Sequence, residues 1–583
     1  MPDSGEVHRV GGEQHADADP QVRVYGVKPQ KGETPQEIVS GFLEATTSDE
    51  AKYDTAKLYM TKRQAQRWKP DSAITILADS PSREVQEQPD AADDGKGDVD
   101  AQITLTGERV AVVDARHAYR AEPGSFSSGI RLTKENGEWR IDGVGDGLVL
   151  SEADFTRFYR SVDTYYFAAL GPDALTGGTR QEALVADPLY LRKRINPLSA
   201  TVDALLAGPT AWLEPVVESA FSTGIRATKV SLDDSQRLTV RLNRAPFGDS
   251  GRCRRMAAQL IQTVQGMSSQ SLPSVQVQGP GGRAACSLQS QQVAHDYVPE
   301  GLAAGPGNDQ YFIDADHHLV RLSGESTQPV PVPGPFGTGP LKLGTVAVRR
   351  DEQSAAAVSE DGTKLFVAPL DDGGEPGEAV LTSRAADKDN RLSAPSWDGY
   401  GDLWVADRDP NRPRLVMFRH GDDKPVDVAV PDLGNGRRIE SLRVAADGVR
   451  IALVVSENKH KTLQIGRIER TGPSDTPQIA VAELRQVTSQ LEDVIAASWA
   501  GVSRLVVVGQ ETGGVPQIQY VDADGSASFT PSLPGISGVK SVAASENQDK
   551  PLLAELNGGI FRLPPDANWK EVTPKGTAPV YPG

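Results

Sequence analysis

One short phrase returns through the second half of the chain and constrains its fold more than any other feature. Ala355 to Leu370 reads as an apolar run, a turn on Glu360-Asp361-Gly362 and a second apolar run. The phrase recurs around Trp397-Asp398-Gly399, Asp447-Gly448 and Ala500-Gly501, in worn form around Glu546-Asn547, and as an earlier fragment from Gln310 to Leu322. Asp361, Asp398 and Asp447 stand 37 and 49 residues apart. Runs such as Leu365-Phe366-Val367, Leu403-Trp404-Val405 and Leu505 to Val508 are too short for buried helices and are bounded by turn-forming residues. Asp-Gly suits a hairpin because its central residues must accept positive φ. A period of about 40–50 residues built from short strands specifies an all-β propeller, one four-stranded blade per period. Six such units predict six blades, with five as the alternative. The first unit lacks an innermost strand, which Ala578 to Tyr581 can supply to close the ring.

The rest of the chain is read against this ring, assigned to 299–583. At 583 residues there is room for two to four domains. The net charge of -18 argues against nucleic acid, which needs clustered Lys and Arg, and against anionic headgroups. No apolar run approaches the roughly 18 residues that span a bilayer. The opening MPDSGEVHRVGGEQHADADP carries no apolar secretion-signal core, and residues 1–33 read as a flexible polar tether. Cys253 and Cys286 are the only cysteines. They would form one disulfide in an exported protein and two packed thiols in a cytosolic one.

Residues 34–150 read as a helix-then-sheet α+β domain. Thr34-Pro35-Gln36-Glu37 is a capping box with Pro in the first turn. Helix continues through Tyr53, Leu58, Tyr59 and Met60 towards Trp68. Antiparallel strands follow around Ile103 to Leu105, Val110 to Val113, Ala118-Tyr119, Ile130 and Gly137 to Ile141, with Pro89 to Asp100 as a loop. This order resembles the cone-shaped ketosteroid-isomerase-like fold. Residues 151–298 read as a second α+β domain. A helix carries Phe155, Phe158 and Tyr159, and a strand runs from Thr164 to Ala169. Helix Ala200 to Leu206 stops at Gly208-Pro209. Strands Thr228 to Leu232 and Leu238 to Leu242, a helix from Met256 to Val264 ended by Gly266, and strand Val275 to Val277 complete it. The phrases LLAGPT, LTVRLN, AAQLIQTV and VQVQG in this order resemble the GerMN sporulation and germination domain, whose relatives are non-catalytic extracytoplasmic modules.

Several motifs suggest chemistry, and each has a plainer reading. Gly248-Asp249-Ser250-Gly251 looks like a serine-protease nucleophile segment, yet it lies between a strand and a helix of a small domain. Ser250 is better read as capping that helix or turning the chain into it. Asp114 and His117 could face a pocket, but fit solvent-facing strand positions. His317-His318 with Asp314 and Asp316 could bind metal, but adjacent strand side chains diverge. Asp522-Ala523-Asp524-Gly525 begins like a calcium loop, but Leu533 stands where the last acidic ligand belongs. No catalytic residue, metal ligand or cofactor site is assigned. The candidate partner-binding surface is Trp397, Tyr400, Trp404 and Arg408, since exposed aromatics and arginine concentrate binding energy. Arg349, Arg350 and Arg412 could extend it as a basic rim.

Tether, helix-then-sheet domain, GerMN-like domain and propeller together resemble the actinobacterial lipoprotein LpqB family over essentially the whole chain. The opening MPDSGEV, LLAGPTAWL at 205–213, TGIRATKVSL at 223–232 and LSAPSWDGYGDLWVAD at 392–407 carry the resemblance. It implies a monomeric protein, lipid-anchored through a Cys preceding the present Met1, on the extracytoplasmic face of the cell membrane. It further implies a non-catalytic accessory of a two-component system that contacts the extracytoplasmic domain of an MtrB-like sensor histidine kinase. The alternative is a glycan-binding or hydrolytic propeller of the cell envelope.

Overall fold

The structure, a computed structural model, describes residues 26–86, 101–170, 182–245, 249–267, 272–292, 297 and 309–583. It omits short stretches of the last span at 325, 372–374, 435, 459, 473–476, 489–490, 512, 527–532, 558 and 566. Most of the expected tether and the expected loop at 89–100 lie outside the described residues. Two compact units emerge: residues 1–70, 80–107 and 126–150 form one, and residues 71–79, 108–125 and 151–583 the other.

In the first unit α1 (Pro35–Thr46) begins on the capping box. Thr34 Oγ1 accepts from the Glu37 amide at 3.3 Å, and Glu37 Oε2 accepts from the Thr34 amide at 2.8 Å. The helix expected from Tyr53 towards Trp68 is instead two short ones, α2 (Asp54–Leu58) and α3 (Lys62–Arg67). The break has a local cause. Met60 bridges Ile141, and Thr61 leaves the helix to cap α3 by accepting from the Gln64 amide. Phe42 and Tyr53 close edge-on around Trp68 at 5.5 and 6.0 Å, a buried aromatic core.

Along the chain come six strands, of which β1 belongs to the second unit: β1 (Ala73–Leu77), β2 (Ser82–Gln86), β3 (Ala101–Asp114), β4 (Tyr119–Glu135), β5 (Glu138–Gly143) and β6 (Leu148–Ser151). Strand β2 pairs with residues 102–106 of β3, β1 with residues 109–114 of β3, and β4 with β5, all antiparallel. The long strands β3 and β4 run through both units.

In the second unit α4 (Glu152–Phe158) leads into β7 (Tyr159–Ala168), which pairs along its length with β8 (Leu184–Arg192) and at its end with β9 (Val217–Glu218). A four-stranded sheet has the order β10 (Ala227–Leu232), β11 (Leu238–Leu242), β12 (Ser274–Gln278), β13 (Ala284–Gln289). Helices α5 (Pro197–Ala207) and α6 (Ser250–Gln265) bury Val202, Leu205, Leu260 and Ile261 against Tyr166, Phe167 and Val240. The cap of α6 is Asp249, whose side chain accepts from the Arg252 amide; Ser250 is the first helical residue rather than the cap. The geometry favours Asp249 because its carboxylate reaches back to the first free amides of the helix. Cys253 of α6 and Cys286 of β13 form a disulfide.

The ring follows as hairpin-linked strands. β14 (Asp309–Asp314), β15 (Leu319–Ser323) and β16 (Val330–Pro331) are completed by the C-terminal β36 (Gly576–Val580), which pairs antiparallel with β14. β17 (Leu343–Val348), β18 (Ser354–Ser359), β19 (Lys364–Pro369) and β20 (Leu381–Thr382) form the next sheet. Three further antiparallel sets join edge to edge into one eleven-stranded sheet. They are β21 (Ser396–Trp397) to β24 (Pro425–Ala429), β25 (Arg438–Val444) to β28 (Gln478–Gln486), and β29 (Asp493–Trp499) to β31 (Gln517–Asp522). β32 (Ser541–Ala543), β33 (Leu552–Leu556), β34 (Gly559–Leu563) and β35 (Lys570–Thr573) form the last. Each set packs its β-branched faces against the next. The cluster of Val358, Trp397, Leu403, Val416 and Phe418 is one such seam.

Candidate functional site: a charged joint and the channel of the ring

The recurring Asp is a turn-maker before it is anything else. Asp398 Oδ1 accepts from the amides of Tyr400 and Asp402, both at 3.0 Å, and Asp447 Oδ1 from those of Val449 and Arg450 at 3.0 and 3.2 Å. Asp361 does the same for Thr363, and these bonds with the Ser359 hydroxyl hold its pKa down to about 2. A short carboxylate that mimics the backbone of a turn is the reason for Asp at these positions. Asp314 plays the same part towards the amides of Asp316 and His318, and both imidazoles bond to backbone carbonyls, those of Leu343 and Gly339. Asp114 likewise accepts from the amides of Arg116 and Ala118, and His117 lies in the same turn at φ 66. Among the described residues no group of three His, Cys, Asp or Glu is placed to hold a metal.

The buried turns on one rim of the ring carry the second α+β domain. Arg450 lies under that domain with its side chain 3% exposed. Its Nε and Nη2 donate to Asp447 Oδ2 at 2.8 and 2.5 Å, Nη1 donates to the Ala186 carbonyl at 3.3 Å, and Nη2 also reaches the Val502 carbonyl. Its guanidinium stacks 5.3 Å from the Trp499 ring. Around it, Ser503 donates to Asp163 at 3.0 Å, Tyr190 donates to Ser526, and Ser526 donates to Asp524 at 2.6 Å. Asp187 accepts from the amide and hydroxyl of Thr210. The indole of Trp212 donates to the Glu483 carbonyl at 3.2 Å. Carboxylates outnumber cations here, and burial pushes the pKa of Asp187 and Asp522 up to about 7 and that of Asp524 to about 6. Burial raises Asp163 as well.

The central channel is a cavity of about 280 Å³. Residues at the inner strands β17, β21, β25, β29, β32 and β36 line it. A repeated Ser-Trp pair stitches these strands together. The Trp397 indole donates to the Ala347 carbonyl of the preceding inner strand, while the Ser396 hydroxyl accepts from the Val444 amide of the following one. Trp499 and Ser498 repeat this with the Arg443 carbonyl and the Ala544 amide. Two residues thus fix each of these two inner strands, β21 and β29, to both neighbours.

Of the four residues expected to form a partner-binding surface, the two tryptophans are buried, and Tyr400 and Arg408 are engaged within the protein. Trp397 and Trp404 are 1% and 0% exposed. Trp397 fills a seam between sheets, and Trp404 packs in the core while donating to Asp398 at 3.2 Å. The Tyr400 hydroxyl accepts from the Ala183 amide inside the joint. Arg408 ties two sets of strands, donating to the Arg391 and Leu392 carbonyls and pairing with Glu440 at 3.6 Å. Two arginines of the supposed rim are engaged in the same way, Arg349 with Asp351 and Arg350 with Glu546, while Arg412 is exposed. For the engaged residues, satisfying a buried polar group or a seam outweighs exposure. The Ser-Trp stitch and Arg450 escaped the sequence reading, although Ser-Trp recurs at the same place relative to two turns.

A pair of α+β domains leading into a ring of antiparallel blades, the second held on the rim by buried hydrogen bonds, defines a multidomain β-propeller protein. Family models match residue ranges in the same order. "Lipoprotein LpqB, N-terminal domain" covers 28–156, "Sporulation and spore germination" covers 164–280, and "Lipoprotein LpqB beta-propeller domain" covers 317–582. Proteins named Lipoprotein LpqB from Streptomyces avermitilis and Streptomyces coelicolor are each 44% identical, across 100% of this chain and 95% of theirs. One from Thermobifida fusca is 28% identical over 98% of this chain and 94% of its own. The chain belongs to the lipoprotein LpqB family. Among solved structures, TolB from Acinetobacter baumannii aligns with 61% of this chain and 98% of its own at 10% identity and a TM-score of 0.31, a likeness too weak to carry an argument.

Proposed function

We propose that this chain is a lipid-tethered, non-catalytic accessory of a two-component signalling system. It binds the extracytoplasmic domain of an MtrB-like sensor kinase and so influences phosphorylation of the cognate regulator. The observation that carries this reading is the end-to-end match to relatives named as lipoproteins, with all three domains in order. A lipid anchor places the protein on the extracytoplasmic face of the cell membrane, and no described helix is long and apolar enough to cross it. The ring is read as six-bladed, supported by six inner strands lining one channel and by the β14–β36 closure. The first domain is read as a ketosteroid-isomerase-like cone, supported by helices preceding the β3–β4–β5 antiparallel run.

The joint suits such a role. A second domain locked on the rim by buried polar contacts offers a partner one broad rigid surface, with loops free at the rest of the ring. A hydrolytic propeller would want two carboxylates converging at the channel. Glu546 is the one carboxylate side chain of the described lining, and it is held by Arg350 at 2.6 Å. In-cell crosslinking followed by purification of the tethered chain from membranes tests the proposal. The kinase should copurify; its absence at endogenous expression would argue against a direct partner.

A further inference from the structure

The channel carries a charge pattern opposite to that of the whole molecule. The chain bears a net charge of -18, yet Arg350, Arg443 and Lys550 line the cavity against Glu546, the one acidic side chain there, and the terminal carboxylate of Gly583. Arg350 is taken by Glu546. Burial lowers the pKa of Lys550, opposed by Glu352 and Asp309 nearby. Arg443 is different. It sits on inner strand β25, and its guanidinium makes one hydrogen bond within the protein, from Nη1 to the Leu442 carbonyl at 3.0 Å. No carboxylate pairs with it among the described residues, and burial lowers its pKa with no acidic group opposing the shift.

A guanidinium has five N–H donors in a rigid fork that matches a carboxylate or phosphate. Holding one partly buried in a protein without a counter-charge is unfavourable. Arg443 lines the cavity, and Nη1 is the one guanidinium donor bonded to a protein acceptor among the described residues. The Ser396 and Ser498 hydroxyls, each already accepting a backbone amide, lie on the same wall. At about 280 Å³ the space accommodates a compact molecule and not a polymer. The negative surface beyond is screened within about 8–10 Å at physiological salt, so attraction inside the channel is governed locally.

We propose that the propeller channel is a binding site for a small oxyanion-bearing ligand, a compact carboxylate or phosphate, with Arg443 as the principal anchor and Lys550 as the second cation. This goes beyond the partner-binding reading and does not depend on it. The ligand exchanges its water for the free fork of Arg443 and supplies the missing counter-charge. No bond is made or broken.

The test is calorimetric titration of the full chain with inorganic phosphate and, separately, with succinate, at constant ionic strength set by sodium chloride. One of the two should bind saturably at one site, and which one does distinguishes the phosphate source from the carboxylate source. Arg443→Met keeps the aliphatic stem and should weaken that binding at least about tenfold, the loss expected for a charge-assisted pair. Lys550→Gln should weaken it about three- to tenfold. It is the deciding variant if Arg443→Met shows a lowered unfolding midpoint. Because Trp499 lines the cavity, binding should also shift tryptophan emission with the same midpoint as the calorimetric curve. Absence of saturable heat from both anions up to about 10 mM would overturn the proposal. So would binding left unchanged in Lys550→Gln and in a folded Arg443→Met.

Discussion

Replacing Arg450 with Met should destabilise the ring at the turn beneath the second domain and remove one hydrogen bond across the joint. The methionine keeps a stem of similar shape against Trp499 but removes both bonds to Asp447 and those to the carbonyls of Ala186 and Val502. The Asp447 carboxylate, with its side chain 2% exposed, then has only the turn amides of residues 449 and 450 for company. Breaking a buried pair by removing one partner costs about 3–5 kcal/mol, most of it the stranded charge. At an m-value of about 2–3 kcal/mol/M in urea, this lowers the midpoint of the second unit's transition by roughly 1–2 M. Asp447→Asn with Arg450→Met removes both charges while the amide oxygen still caps the turn. The double variant should therefore be less destabilised than the sum of the singles by about 1 kcal/mol or more. Urea unfolding followed by tryptophan emission reads all three variants. A shift below about 1 kcal/mol for Arg450→Met, or strict additivity in the double variant, would refute the picture of a buried Asp447–Arg450 pair bracing the turn beneath the second domain.

Three further outcomes follow from the same contacts. The raised carboxylates at the joint, Asp187 and Asp522 at about 7 and Asp524 at about 6, bind protons in the folded state that the unfolded chain releases near pH 4. Their stabilisation is complete below that unfolded value and is lost as pH rises through about 6–7. The unfolding midpoint of the second unit should thus fall between pH 5 and 8, and Asp187→Asn should flatten part of that slope; a rising midpoint would contradict the burial argument. Replacing Cys253 and Cys286 with Ser opens a loop spanning 33 residues and should lower stability by about 3–4 kcal/mol in the chain-entropy model, measured by thermal unfolding. Gly399→Ala would bring a Cβ to 2.1 Å from the Ala446 carbonyl, so the two turns must separate at a cost of about 1–3 kcal/mol, read by the same urea assay.

Much of the architecture was legible because local chemistry and tertiary structure agree. The capping box at Thr34 and Glu37 and the Asp-Gly turns at Gly362 and Gly448, both at positive φ, each follow from local chemistry. What escaped was set by distant partners. Strand β8 was missed because Pro188 lies inside it, and a proline is tolerated there only because β8 is an edge strand of the order β8-β7-β9. Strand β1 is five residues long and borrows its ladder from β3. The aromatic candidates failed for a related reason. A Trp beside a turn looks the same in sequence whether it faces solvent or a neighbouring blade, and only the recurrence of Ser-Trp at 396–397 and 498–499 signalled a shared structural task. The joint was invisible altogether, since Arg450 and Ala186 are 264 residues apart.

That joint also decides how the partner should be sought. Val449 of the ring belongs to the core cluster of the second domain, so cutting the chain near residue 300 would open a hydrophobic and charged seam. The full chain is therefore the right reagent. Titration calorimetry of the full chain against the purified extracytoplasmic domain of the matching sensor kinase addresses the central claim most directly. Saturable one-to-one binding is the expected result. Heats no larger than dilution with both proteins near 100 µM, about the weak end of specific association, would contradict it.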